Sequence, residues 1–201
     1  MKKILYCDFD GTLIRENSEE LLIKFLLETH YFKFYHYVLA AAGRCINAPF
    51  HFFKRGSPVK SWTACVKQEQ KENIIDNFWE RKINSVHINF SVLDKIKEFD
   101  GNTVIVTGSD QDLVYMFLKR KGLTDLIADV VGSKVGPSGI HISQHPYGKE
   151  KCKYLDSRAY KVGIANEAAD IFYLSKCDEV YIVPGDQILE NTAKIKKWKV
   201  I

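Results

Sequence analysis

Apolar positions along this chain follow two different rhythms. Ile4-Leu5-Tyr6-Cys7 is a short apolar run stopped by Asp8-Phe9-Asp10-Gly11, too short for a helix and suited to a buried strand. Thr103 to Thr107 is a second such run, followed by Gly108-Ser109-Asp110, which is expected to open a helix reaching about Lys121, with Gly122 as its stop. Further strands are expected at Ile127 to Val131, Tyr160 to Ala165 and Glu179 to Val183, the last ended by Pro184-Gly185, with a short edge strand at Lys199 to Ile201. Between about 15 and 90 the rhythm is helical: Leu21, Leu22, Phe25 and Leu26 share a face, and Ser18 makes a plausible helix start. Val92, Leu93, Ile96 and Phe99 then form an amphipathic crossover back to the sheet. The pattern predicts an α/β fold with a parallel sheet and a helical insertion after its first strand.

Composition narrows this without redirecting it. With 201 residues, 46% hydrophobic and 27% charged, the chain suits one globular domain, or one core with an inserted subdomain. Its 29 basic and 25 acidic residues leave a net charge of +4, too mild to argue for nucleic acid but compatible with an anionic substrate. Five cysteines without C-x-x-C spacing indicate neither a disulfide framework nor a zinc site. The N-terminus opens into a strand rather than a secretory signal, and no apolar run reaches the ~18 residues of a membrane span. The expected location is cytoplasmic; the oligomeric state stays open.

Chemistry enters at Asp8 and Asp10. Carboxylates at the carboxyl end of a buried parallel strand lie where open α/β sheets gather ligands. Their mutual repulsion is relieved by a cation, so a hard divalent metal and an oxygen-rich substrate are expected there. The competing reading is ordinary turn chemistry. Asp8-x-Asp10-Gly11-Thr12-Leu13 after an apolar strand resembles motif I of the haloacid dehalogenase-like (HAD) superfamily, mostly Mg2+-dependent phosphatases. The resemblance implies a three-layer, Rossmann-like core in which Asp8 attacks phosphorus, Asp10 acts as general acid and base, and Thr12 belongs to the substrate-binding loop.

The same resemblance places Thr107, with Gly108 and Ser109, at the phosphate-binding motif II. In Gly148-Lys149-Glu150-Lys151 the charge-neutralising lysine is Lys151 by spacing, with Lys149 as runner-up. Motif IV departs from its usual G-D-x-x-x-D form: alignment on Asp170 sets Asn166 at the first acidic position. The implied Mg2+ set is Asp8, Asp10, Asn166 and Asp170, with Asp170 orienting a water on the metal. A neutral Asn166 weakens such a site, and Glu167 compensates only by turning inward. The Asn form and the Ala168-Ala169-Asp170 run resemble the HAD-like domain fused to UbiA-type polyprenyl transferases, whose membrane spans are absent here.

The expected organisation is a core of residues 1–14 and 91–201 with a helical cap at 15–90. Tyr31 to Leu39 and Phe50 to Phe53 are strongly aromatic, interleaved with Lys33, Arg44, Lys54, Arg55 and Lys60. Two readings compete: aromatic packing within the cap, and an interfacial face presenting the site to a lipid phosphate. His30, His36 and His51 receive no role, and Lys67 to Lys71 reads as a solvated helix face. The expected function is Mg2+-dependent phosphomonoester hydrolysis of a small-molecule phosphate ester. A phosphotransferase, or a binding protein weakened at Asn166, are the alternatives; dehalogenation fits poorly because those relatives work without metal.

Overall fold

A computed structural model describes residues 2–35, 38, 58–135 and 142–201. His36, Arg44, Cys45, Phe50 to Phe53, Lys54 and Arg55 lie outside the described residues. Seven strands form one sheet in the order β4-β3-β2-β1-β5-β6-β7. They are β1 (Lys3–Cys7), β2 (Thr103–Asp110), β3 (Ile127–Val135), β4 (Ile142–Gln144), β5 (Tyr160–Ala165), β6 (Glu179–Ile182) and β7 (Lys199–Val200). All neighbouring pairs are parallel except β3 with β4.

β1 lies at the centre because both its faces are apolar. Leu5 and Cys7 enter one buried cluster, Ile4 and Tyr6 the other. A strand covered on both sides needs a continuous apolar run rather than alternation, as the sequence has. The chain winds outward from β1 through β2 and β3, then returns to lay β5 against the other side of β1. That reversal opens a crevice beyond the carboxyl ends of β1 and β5.

Helices cover both faces. One face carries α1 (Ser18–Glu28), α2 (Pro58–Cys65), α3 (Gln68–Lys82), α4 (Phe90–Lys97) and α5 (Gln111–Arg120). The other carries a 3-10 segment, Gly148–Tyr154, with α6 (Ile171–Leu174) and α7 (Gln187–Lys196). Among the described residues, no helix is long and apolar enough to cross a membrane.

The helices inserted after β1 do not form a separate core. Phe25, Trp62, Phe78 and Trp79 share one buried cluster with Leu5, Ile105 and Phe117. Ring centroids run in series at 5.5 Å from Phe25 to Phe78, 4.5 Å to Trp79, 5.0 Å to Phe117 and 5.3 Å to Phe9, between the two aspartates. Of the aromatic run after α1, Phe32 is buried while Phe34 is 82% exposed. The connections into and out of the insertion run together, with Arg15 N–H donating to His87 O and Asn89 N–H to Leu13 O.

Several local expectations shift. β2 continues through Gly108, Ser109 and Asp110 instead of ending at Thr107, and Asp110 caps α5 by accepting from the amides of Asp112 and Leu113. β3 runs to Val135 and is followed by the antiparallel β4, for which no apolar run gave a signal. Lys71 is not part of a solvated face: it is buried, with its ammonium 2.9 Å from Asp110 and 2.6 Å from Asp112. Its acidic partners lie on the far side of the chain, so no local pattern distinguishes it from its charged neighbours.

Candidate active site

Asp8 follows β1 directly, and its amide donates to Ile164 O at 3.0 Å, tying it to the carboxyl end of β5. The loop then reverses tightly, with Thr12 N–H and Ile14 N–H both donating to Phe9 O. Gly11 is required twice over. Its φ is +68°, and an added Cβ would fall 2.1 Å from Asn166 Nδ2. Asn166, the residue after β5, thus packs on this loop, and the Thr12 hydroxyl donates to its Oδ1 at 2.9 Å.

Asp10 is held from both sides of the crevice. The amide of Ser18, the first residue of α1, donates to Oδ1 at 2.8 Å, and the Ser109 hydroxyl donates to Oδ2. Burial raises its carboxyl to about 7, against the lowering effect of these hydrogen bonds and with a further push from the Asp8 charge.

The two candidate lysines lie in different surroundings, and Lys151 is the buried one. It is 2% exposed and lies 3.0 Å from Asp8 Oδ1, while donating to Asp170 Oδ2 at 2.9 Å. Burial alone would lower its pKa, but the two carboxylates outweigh it and hold the ammonium above its ordinary range. Lys149 is exposed, because two residues along a 3-10 segment is about two thirds of a turn and sends the side chains apart. Of the two lysines, Lys151 is therefore the one that lies against Asp8.

Thr107 is buried, and its hydroxyl oxygen accepts from Ser109 N–H at 3.2 Å. The β2–β3 register breaks between Val106 and Asp110, so Thr107-Gly108-Ser109 forms an irregular stretch that aims Ser109 at Asp10. Glu167 is exposed and does not turn inward. Asp170 is buried by the Lys151 contact, leaving Oδ1 enclosed without a hydrogen-bond partner; burial pushes its carboxyl up too. The structure thus gathers Asp8, Asp10, Thr12, Ser109, Lys151, Asn166 and Asp170 through shared contacts. The donation from Ser18 to Asp10 had no sequence signal beyond a helix start.

A divalent cation fits this donor set. Lys151 pairs with Asp8 and Asp170 while Asp10 stands beside Asp8, burial raises the carboxyls of Asp10 and Asp170, and Asp170 Oδ1 has no hydrogen-bond partner, so added positive charge would be accommodated here. Among the described residues no three His, Cys, Asp or Glu side chains form a ready cage.

Residues 5–175 match the model of the haloacid dehalogenase-like hydrolase family, and the chain belongs to that family. Solved structures share the fold. A Bordetella pertussis Tohama I protein of unknown function superposes with a TM-score of 0.74 at 15% identity, covering 100% of this chain and 98% of its own. A phosphoserine phosphatase held as a phospho-aspartyl intermediate analogue gives 0.57 at 13% identity, covering 99% and 92%. YfnB of Bacillus subtilis, described as a HAD-hydrolase and bound to magnesium, gives 0.54 at 15% identity, covering 98% and 99%. No curated protein matches the chain. These likenesses reach the family and its fold, not the UbiA-associated branch.

Proposed function

We propose that this chain hydrolyses phosphate monoesters through a covalent phosphate on Asp8. The observation that carries this reading is the pairing of a buried Lys151 against Asp8 with an Asp10 carboxyl raised to about 7. The first supplies positive charge at the nucleophile, and the second a proton near neutral pH.

An Asp8 oxygen forms a bond to phosphorus as the bond from phosphorus to the ester oxygen breaks. Asp10 gives its proton to that departing oxygen, so the alcohol leaves neutral. The Asp10 carboxylate then takes a proton from water, whose oxygen bonds to phosphorus and frees Asp8 and inorganic phosphate. Lys151 balances the charge on Asp8 and the phosphoryl oxygens, with Asp170 holding its ammonium in place. The Thr107 hydroxyl would bind a phosphoryl oxygen, and the hydrogen bonds from Ser109 and Ser18 would orient Asp10. A bound Mg2+, held by Asp8, Asp10 and Asn166, would supply further positive charge to the phosphoryl group.

The test is phosphate release from p-nitrophenyl phosphate with and without Mg2+. Asp8→Asn should lose roughly 10⁴-fold or more of the turnover while keeping its circular dichroism spectrum. Full activity in that variant would sink the mechanism.

A further inference from the structure

The aromatic run after α1 divides when the chain folds. Phe32 is buried in the core cluster and its amide donates to Leu26 O at 3.0 Å, while His30 turns the chain with a φ of +59° and its amide donates to Leu27 O. The turn is thus pinned to α1 on its inner side. Its outer side is apolar and open: Phe34 is 82% exposed, and Leu27, Tyr31, Tyr35 and Val38 are 40–51% exposed. Phe34, Tyr35 and Val38 are helical, and spacings of four and three residues set them on one face. Single exposed apolar side chains are ordinary, but five within twelve residues around one turn form a patch. Packing within the insertion accounts for Phe32 and leaves these five at the surface.

Charge along this part of the sequence has one sign. From Thr29 to Gln68 there are six basic residues (Lys33, Arg44, Lys54, Arg55, Lys60 and Lys67), of which Lys60 is buried, and no acidic one. That exceeds the +4 of the whole chain, so the remainder is net negative. Lys24 and Lys33, close in sequence to the apolar side chains, are exposed. Glu28, the acid that ends α1, is offset by Lys82 at 3.7 Å. Apolar and aromatic side chains accompanied by lysines suit the boundary between lipid headgroups and acyl chains, where rings enter and ammonium groups meet phosphates. Nucleic acid is the poorer match, because Leu27 and Val38 offer no ring to stack on a base.

We propose that the patch of Leu27, Tyr31, Phe34, Tyr35 and Val38 docks the protein on an anionic bilayer, with the rings entering the headgroup region and Lys24 and Lys33 meeting lipid phosphates. Attachment is peripheral and reversible, since a short patch of this kind lies on a membrane rather than spanning it. Lipid charge supplies attraction at a distance and the apolar side chains supply the contact, so binding weakens as salt screens the lysines. Docking does not depend on the hydrolase reading above.

Co-sedimentation of the whole chain with lipid vesicles tests it. The protein should pellet with equimolar phosphatidylcholine and phosphatidylglycerol, stay in solution with phosphatidylcholine alone, and be released by high salt. Phe34→Ser should weaken binding by roughly 10-fold or more, the worth of one large apolar side chain withdrawn from water. Lys24→Glu should weaken it several-fold, as a charge reversed beside an anionic surface. Both variants should keep the wild-type circular dichroism spectrum, because both side chains are exposed. No pelleting with the anionic vesicles, equal pelleting with both lipids, or unchanged binding of Phe34→Ser overturns the proposal. So does a dimer in lipid-free solution that Phe34→Ser makes monomeric, which assigns the patch to a second copy of the chain, and so does tighter retention on polyuridylate than on the vesicles. Should Phe34→Ser not fold, Tyr31→Ser and Lys24→Glu decide the matter.

Discussion

Two buried lysines in this molecule are each flanked by two aspartates, and they do opposite things. Lys71 reaches from α3 to Asp110 and Asp112 at 2.9 and 2.6 Å; Lys151 bridges Asp8 and Asp170 at 3.0 and 2.9 Å. Around Lys71 the remaining valences are filled. Asp110 accepts two backbone amides of α5, and Asp112 accepts from Gln68 and is partly open to solvent. Burial opposes ionisation of Asp112, yet the Lys71 hydrogen bond brings its carboxyl below the usual range. Around Lys151 one valence is left open: Asp170 Oδ1 has no partner, and burial raises that carboxyl as it also raises Asp110. Both clusters have a lysine with two aspartates. The satisfied cluster ties α3 to the start of α5, and the other leaves a buried carboxylate oxygen unpartnered, as the proposed function requires of a site that takes a ligand.

Removing each lysine should separate these roles. Lys151→Met should cut turnover of p-nitrophenyl phosphate by roughly 10²- to 10³-fold, the scale of losing one preorganised charge at a transition state. Its stability loss should be recovered by adding Mg2+. Lys71→Met strands Asp110 in the interior and should cost about 3 kcal/mol in urea unfolding, with no recovery by Mg2+. Equal behaviour of the two variants under Mg2+ would erase the distinction.

A gentler test uses pH. Asp10 keeps its proton to about 7 in the folded chain, against about 4 when unfolded. The folded state therefore binds the extra proton within that window, so stability of the metal-free protein falls as pH rises from 4 to 7 and levels off above it. The raised Asp170 acts in the same direction, whereas the lowered Glu179, at about 2, matters only in stronger acid. Mg2+ should accordingly raise Tm more at pH 8 than at pH 5, and an equal shift at both would contradict the assignment of missing charge to this site. The smallest effect concerns Asn166. Asn166→Asp adds a charge where Thr12 can still donate to the side chain, and should tighten Mg2+ binding several-fold by calorimetry.

What was legible in the sequence was what local pattern encodes. The apolar run before Asp8 marked a central strand because burial on both faces removes alternation, and the family match, over residues 5–175, begins within it. The bounds of β5 were readable for the same reason. β2 was cut short because Gly108 and Ser109 look like a helix start, whereas pairing with β3 carries the strand through to the Asp110 cap. Lys71 was opaque because it is defined by partners distant in sequence. The Asp170 interaction with Lys151 was missed likewise: motif spacing suggested a metal role, and only packing revealed the ion pair.

The central place of β1 has a consequence for how the molecule comes into being. Leu5 pairs with Thr103 and Lys3 with Tyr160, so both neighbours of β1 arrive long after it. Closing such large loops is slow, since the entropy must be lost before the pairing rewards it. During synthesis β1 emerges first and waits, apolar and unpaired, while the insertion is made. The crevice that holds Asp8 and Asn166 cannot exist until β5 has joined, which makes the assembly of the site a late folding event.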